Sequence, residues 1–182
     1  MRFIFALFLI IFAFASAHAD SCPSDPFLPV APSDLVQAKD LSAEDLLFHE
    51  KYMKIALDRV IEVNGKFGAA IVHKNGTLMC VSVNQGSVSR IYHGEIAAII
   101  NCTNIFASKG IVQPTWEDYY IYTTGEPCPM CSAAIMWSKF DKVIFGSYVS
   151  NMYCERCFNQ LPMAANNIMN LGYGIGHNTQ LI

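Results

Sequence analysis

Two short stretches hold most of the chemistry that this sequence can do. One is His93-Gly94-Glu95; the other, downstream, is Thr124-Gly125-Glu126-Pro127-Cys128-Pro129-Met130-Cys131. Read together they are H-x-E followed by P-C-x-x-C. One imidazole and two thiolates fill three positions of a tetrahedral zinc and leave the fourth to water. Cys128 and Cys131 stand three apart, so one turn of helix puts both sulfurs on one face. Glu95 lies two residues from His93, close to the metal without being needed as a ligand. A carboxylate so placed can take a proton from water and deliver it elsewhere.

The elements around these residues must aim them at one point. Pro127 and Pro129 suit the entry and first turn of a helix, where a missing N–H costs little. Apolar residues continue through Ala133, Ala134, Ile135, Met136 and Trp137. Glu95 to Phe106 reads as a second helix that starts at the H-x-E. Both helices then present their N-termini to the metal, where their partial positive charge favours thiolates.

From the start of the chain, Arg2, the apolar run Phe3 to Ala15 and the small-x-small triplet Ala17-His18-Ala19 read as a signal peptide over 1–19. An uncleaved anchor is the alternative, though the run is short for a membrane span. Cleavage leaves 163 of the 182 residues and no stable membrane span; losing Arg2 takes Lys+Arg from 12 to 11 against 15 Asp+Glu, a net charge of −4. The mean hydropathy of +0.30 is raised by this segment. Residues 20–40, with Pro23, Pro26, Pro29 and Pro32 among small polar residues, read as an extended leader. The remaining 41–182 suit one domain, and a secreted or secretory-lumen protein is expected.

Within that domain Ser42 caps a helix, with Asp45 in the capping-box position. Leu46, Leu47, Met53, Ile55, Ala56, Val60 and Val63 form its apolar stripe, and Asn64-Gly65 ends it. Phe67 to Val72 and Thr77 to Val83 are strands joined at Asn75-Gly76, a strong hairpin signal. Tyr119 to Tyr122 and Lys142 to Tyr148 are further strands, and 159–171 reads as a last helix. The order α-β-β-α-β-α-β-α implies a mixed sheet with helices on both faces.

The H-x-E and P-C-x-x-C pair is the signature of zinc deaminases. From Leu46 to Tyr148 the chain resembles the cytidine deaminase superfamily, and within it the guanine deaminase and tRNA adenosine deaminase branch. The resemblance is carried by Gly68-Ala69-Ala70-Ile71-Val72, by His93-Gly94-Glu95 and by Thr124 to Ile135. It implies a three-layer α/β/α fold with a five-stranded mixed sheet. It implies zinc ligation by His93, Cys128 and Cys131, proton transfer by Glu95 and a grip on the base by Asn84. Trp137, six residues after Cys131, resembles a substrate-binding Trp of guanine deaminases. A homodimer is the expected assembly. Two departures stand out: Gly94 replaces the usual Ala of the H-x-E, and the Asn84–His93 segment is short.

Of seven cysteines, two belong to the metal. Cys154 and Cys157 form a second C-x-x-C, for which an oxidising compartment predicts a disulfide. Cys80, in an apolar strand, is expected as a buried free thiol; Cys22 and Cys102 have no evident partner. Asn75-Gly76-Thr77 and Asn101-Cys102-Thr103 are glycosylation sequons, the first on a hairpin tip. His49, His73 and His177 belong to no ligand pattern.

Three function classes compete: a small-molecule purine or pyrimidine deaminase, a nucleic-acid deaminase and a non-catalytic zinc domain. The negative charge opposes nucleic acid as a partner, and after Lys142 only Arg156 is basic. Glu95 opposes the third class, since a structural zinc needs no acid beside it. Guanine to xanthine, with release of ammonia, is the expected reaction. A nucleoside, cytosine or cytidine substrate, or a tRNA adenosine, is the alternative.

Overall fold

A computed structural model of the chain describes residues 35–112 and 115–182. The expected signal peptide and most of the leader, with Cys22, lie outside the described residues. Helix α1 spans Ala43–Glu62 and starts as its sequence requires: Ser42 Oγ accepts the Asp45 N–H at 3.1 Å. Its end is a Schellman turn, with Gly65 N–H donating to Val60 O at 2.8 Å and Asn64 N–H to Ile61 O at 3.1 Å. The left-handed residue there is Asn64, at φ 49°, rather than the glycine.

Strands β1 (Gly68–His73) and β2 (Leu78–Val83) form the expected hairpin. Gly76, at φ 88°, supplies the left-handed residue after a turn closed by its own N–H to His73 O. Helix α2 (Gly94–Ser108), strand β3 (Tyr119–Gly125), helix α3 (Pro129–Trp137) and strand β4 (Lys142–Ser147) follow. Helix α4 (Ala165–Met169) and strand β5 (Gln180–Leu181) close the fold. The sheet order is β2-β1-β3-β4-β5; β1 runs antiparallel to β2 and β3, while β3, β4 and β5 are parallel.

The period of two in a strand splits the core into the two halves of an α/β/α sandwich. Ala70, Val72, Tyr122 and Ile144 face α1 and pack with Tyr52 and Ala56. Ala69, Ile71, Ile121 and Val143 face the other way, onto a larger cluster with Ala98, Cys102, Ile135 and Met169 from α2, α3 and α4. Each fully buried Val or Ile among them contributes about 1.5–3 kcal/mol. This is the three-layer, five-stranded mixed architecture expected.

Several local expectations change. The buried face of α1 is His49, Tyr52, Ala56 and Val60, while Leu47 and Val63 of the expected stripe are exposed. His49 Nδ1 meets the Tyr122 hydroxyl at 2.9 Å, and the Tyr52 hydroxyl donates to Gly76 O, so polar contacts choose this face over the apolar count. The last helix covers 165–169 rather than 159–171: Pro162 and the extended Ala164 delay its start. Residues 151–155 form a π-helical turn instead of loop. Strand β5, two residues long, is too short to show a period. Part of the expected leader belongs to the domain, because Leu35 bridges Leu181 and Val36 N–H donates to Leu181 O at 3.0 Å, covering an edge that β5 would leave unpaired.

The cysteines also depart from expectation. Cys80 is not a free thiol: it is joined to Cys102, linking β2 to α2 in the core, with Cα atoms 5.7 Å apart. Cys154 and Cys157, expected as a disulfide, are both free. His73 and His177 are structural, His73 Nδ1 accepting the Asn75 N–H and His177 Nε2 donating to Phe140 O. No helix among the described residues is long and apolar enough to cross a membrane.

Candidate zinc site

The site forms at the carboxyl end of β3, where open α/β sheets place their ligands. The strand ends at Gly125, and Glu126-Pro127 carries the chain into Cys128, the N-cap of α3. His93 is likewise the N-cap of α2. Both helices therefore begin on a ligand, and their unpaired N–H groups and dipoles face it. The close approach depends on two glycines. A Cβ on Gly94 would stand 3.2 Å from the backbone of Gly68. One on Gly68 would meet Val60 Cγ2 at 2.6 Å and Ala56 O at 2.9 Å. The departure at Gly94 thus lets α2 start directly against β1.

His93, Cys128 and Cys131 bring one ligand atom each within 4.8 Å of one another. Cys128 Sγ lies 3.5 Å from His93 Nδ1, which marks Nδ1 as the ligating nitrogen. The Cys128 thiol is held down to about 5, first by the hydrogen bond donated from Cys131 and also by the N–H groups of Cys131 and Met130 and by His93, against the effect of burial. Cys131 is pushed up, because its proton is shared with Cys128 in a buried place beside Glu95. One proton thus holds together two sulfurs that a dication would satisfy as two thiolates. Two sulfurs and one imidazole nitrogen, with no fourth protein donor among the described residues, fit zinc with one open position.

Glu95 is in the first turn of α2 and 6% exposed. Burial raises its carboxyl above the ordinary range, its own backbone N–H pulls the other way, and the nearby Cys128 adds to the rise. The carboxyl is thus held dry beside the three candidate ligands.

In front of the ligands opens a pocket of about 730 Å³. His93, Glu95, Cys128 and Asn84 all line it, so four of the six expected site residues meet there and Cys131 lies just behind. Asn84 Oδ1 accepts the Gly86 N–H at 2.8 Å, which fixes the amide and leaves its nitrogen as a donor. Trp137 does not line it. It ends α3 and is 70% exposed. Six residues of helix turn it well away from the face of Cys131 and carry it about 9 Å along the axis.

The far wall comes from the segment beyond β4, from residues that the sequence does not single out. Met152, Phe158, Asn159 and Gln160, all beyond β4, complete the pocket, and Phe67 packs edge-on against Phe158 with ring centroids 5.7 Å apart. Gly125 makes room for this wall, since a Cβ there would meet Met152 Sδ at 2.9 Å. Glu126 holds the wall in place. Its carboxylate, 7% exposed, accepts the N–H groups of Val149 and Ala165, each at 2.7 Å. Burial raises this carboxyl, and those two N–H groups partly offset the rise. The signal available in the sequence was an acidic residue between Gly125 and Pro127, where a helix approach gives no reason for one.

Residues 45–147 match the family described as "Cytidine and deoxycytidylate deaminase zinc-binding region". The tRNA-specific adenosine deaminase of Rickettsia felis is 36% identical over 83 residues, covering 44% of this chain and 54% of that protein. The guanine deaminase of Bacillus subtilis is 30% identical over 106 residues, 54% of this chain and 64% of that protein. The matched stretch thus spans between half and two thirds of these curated relatives. A crystal structure of guanine deaminase from Bacillus subtilis aligns with a TM-score of 0.51 and 27% identity over 66% of this chain and 73% of its own. The family match covers more than half of the 182 residues and holds both ligand-bearing helix starts, and the chain belongs to the cytidine and deoxycytidylate deaminase zinc-binding family.

Proposed function

We propose that the protein is a zinc-dependent hydrolase that deaminates a nucleobase, and that the base is guanine, converted to xanthine with release of ammonia. The observation that carries the deaminase reading is the buried Glu95 carboxyl beside a three-ligand site that opens into a pocket. His93, Cys128 and Cys131 would hold a zinc, which would supply Lewis acidity and acidify the attacking water. Glu95 accepts a proton from the attacking water. It returns protons to the ring nitrogen and to the leaving amine, so that an amino group and one water become an oxo group and ammonia. The backbone N–H groups at the starts of α2 and α3 steady the negative charge that develops. Glu95→Gln is expected to keep its zinc by metal analysis and to lose about 10²–10⁴-fold in kcat. Loss of zinc together with activity would remove Glu95 from this role.

The guanine reading is supported by the resemblance to guanine deaminases and by Asn84. With its oxygen engaged by Gly86, the amide nitrogen is a donor for an oxo group, which guanine has and adenine lacks. A site that leaves such a donor unpaired with the wrong base discriminates strongly. The excess of Asp+Glu, 15 against 12 Lys+Arg, weighs against a tRNA substrate. A second reading, a nucleoside, is favoured by the pocket itself: about 730 Å³ is a volume typical of larger ligands. Cytosine also offers an oxo group. The test is ammonia release from guanine, guanosine, adenine, adenosine, cytosine and cytidine at equal concentration. Turnover of cytidine with none of guanine overturns the purine assignment and leaves the deaminase standing.

A further inference from the structure

We propose that Asn75 carries an N-linked glycan and that the chain accordingly matures on the secretory route. Asn75-Gly76-Thr77 forms the tip of the β1–β2 hairpin, and Asn75 and Thr77 are both exposed. The Asn75 side chain already has the turn geometry of an acceptor: Oδ1 accepts the Thr77 N–H at 3.0 Å, which leaves the amide nitrogen facing solvent. The tip is held from beneath by the Tyr52 hydroxyl on Gly76 O, so the acceptor stands on a fixed support. Register places it at the end of the sheet away from the zinc. His73 pairs with Tyr119 at the start of β3, whereas Ala69 pairs with Thr123 near its end. Six strand residues separate these ends by roughly 20 Å, so a glycan at the tip leaves the pocket open.

The second sequon behaves differently in the folded chain. Asn101 is exposed as well, but it lies in the middle of α2 and its Nδ2 donates to Ser82 Oγ at 3.4 Å, across a polar cleft between α2 and β2. A sugar on that nitrogen would have to occupy the cleft. The neighbouring Cys102 is buried in the cross-link to Cys80. That cross-link is the independent observation on the compartment: buried disulfides persist where the surroundings are oxidising and are rare in the cytosol. It joins the exposed sequon and the apolar N-terminal run in pointing that way, and against them stands only the free Cys154 and Cys157 pair, for which an oxidising compartment predicts a disulfide. In the transfer, a lipid diphosphate-linked oligosaccharide is the donor. The Asn75 Nδ2 forms a bond to the first sugar carbon, the bond from that carbon to the diphosphate oxygen breaks, the lipid diphosphate leaves, and the amide proton passes to solvent.

The test is expression of the full chain, with its own N-terminus, in insect cells, followed by intact mass and peptide mapping with and without N-glycosidase. The expected result is exported protein whose glycan maps to Asn75. Thr77→Ala should abolish it while keeping the bond from Asn75 Oδ1 to the backbone N–H, and Thr103→Ala should leave it in place. Asn75→Asp, which preserves the oxygen acceptor and removes the nitrogen, serves as the second variant should Thr77→Ala not fold. Ammonia release by the glycosylated and enzymatically deglycosylated proteins is expected to agree within twofold. Exported protein unmodified at Asn75 overturns the site; a glycan at Asn101 alone does the same. A full chain that stays in the cytosol without a glycan overturns the proposal through its compartment.

Discussion

The chain contains two C-x-x-C pairs with the same spacing and opposite surroundings. Cys128 and Cys131 follow a central strand and begin a helix, both are buried, and a histidine stands within 4.8 Å of them. Cys154 and Cys157 lie beyond the last long strand, the first half-buried in a π-helical turn and the second exposed at φ 51°. Two N–H rich helix ends turn the first pair toward thiolate chemistry. The second pair has no helix start and no histidine grouped with it among the described residues. Spacing provides reach between two sulfurs; the element that carries them decides what they reach for. The buried cross-link that does form, Cys80 to Cys102, spans 22 residues and follows no short motif.

The comparison is sharpest where its effect is largest. Cys131→Ser removes a buried ligand from the first pair. It should abolish stoichiometric zinc by metal analysis and take ammonia release below detection, since three protein ligands are the minimum for this kind of site. Zinc retained at full occupancy in that variant would show that the first pair is not the metal's anchor, and the contrast between the pairs would fail with it.

Glu126 joins the two regions. One carboxylate ties the ligand loop to the start of the turn that carries Cys154, through Val149, and to α4, through Ala165. Hydrogen bonds to a charged group contribute about 1.5–3 kcal/mol each. Glu126→Gln keeps the shape but turns an amide NH₂ toward one of the two N–H donors. The pocket wall bearing Met152 and Phe158 should then loosen while His93, Cys128 and Cys131 remain in place. Unchanged zinc content, with KM raised about tenfold and a smaller fall in kcat, is the expected result for a bond worth about 1.4 kcal/mol per decade. A variant that loses its zinc would instead mean that Glu126 supports the ligand loop directly.

Removing the Cys80–Cys102 link tests the stability side. In the chain-entropy picture a loop of this size contributes about 3 kcal/mol, and the bond pins β2 to the helix that begins at His93. The double variant Cys80→Ala, Cys102→Ala should therefore lower the urea midpoint at an unchanged slope, while the folded protein still binds zinc. A midpoint equal to that of the parent would show that packing alone holds α2 in place.

What could be read from the sequence divides along the same boundary as the two pairs. Up to Ser147 the elements are long, capped and periodic: Ser42 with Asp45, the hairpin at Asn75-Gly76 and the two ligand-bearing helix starts all appear where the residues predict them. The metal ligands and Glu95 were legible because zinc demands particular donors at particular spacings. Beyond Tyr148 the elements are a π-helical turn, a five-residue helix and a two-residue strand, each too short for a period to emerge. Contacts between distant residues were invisible for another reason. Cys80 and Cys102 both look like core positions, and nothing local announces that they touch. His49 and Tyr52 displaced Leu47 from the buried face because of hydrogen bonds made to β3 and to the hairpin turn. Trp137 was placed at the site by resemblance alone, whereas six helical residues already turn it away from the face of Cys131 and leave it exposed.

The smallest expected effect belongs to the second pair, and it is the most direct test of the contrast. Cys157 is exposed and Cys154 half-buried, so replacing both sulfurs with oxygens creates little cavity and strands no buried polar group. The turn that carries them closes through the backbone, with Phe158 N–H on Met152 O at 3.0 Å and Met152 N–H on Tyr148 O at 3.0 Å. Neither bond involves a thiol. The double variant Cys154→Ser, Cys157→Ser should therefore match the parent in zinc content, in kcat and KM within about twofold, and in stability within about 0.5 kcal/mol. Among the described residues, Cys154 and Cys157 should also take up an alkylating reagent without prior reduction, while Cys80 and Cys102 stay unlabelled until the chain is unfolded and reduced. Loss of zinc from the double variant would make the second pair part of the metal chemistry. Failure of Cys154 and Cys157 to label would show them covalently engaged in solution. Either result would replace the contrast drawn from their surroundings with one governed by spacing after all.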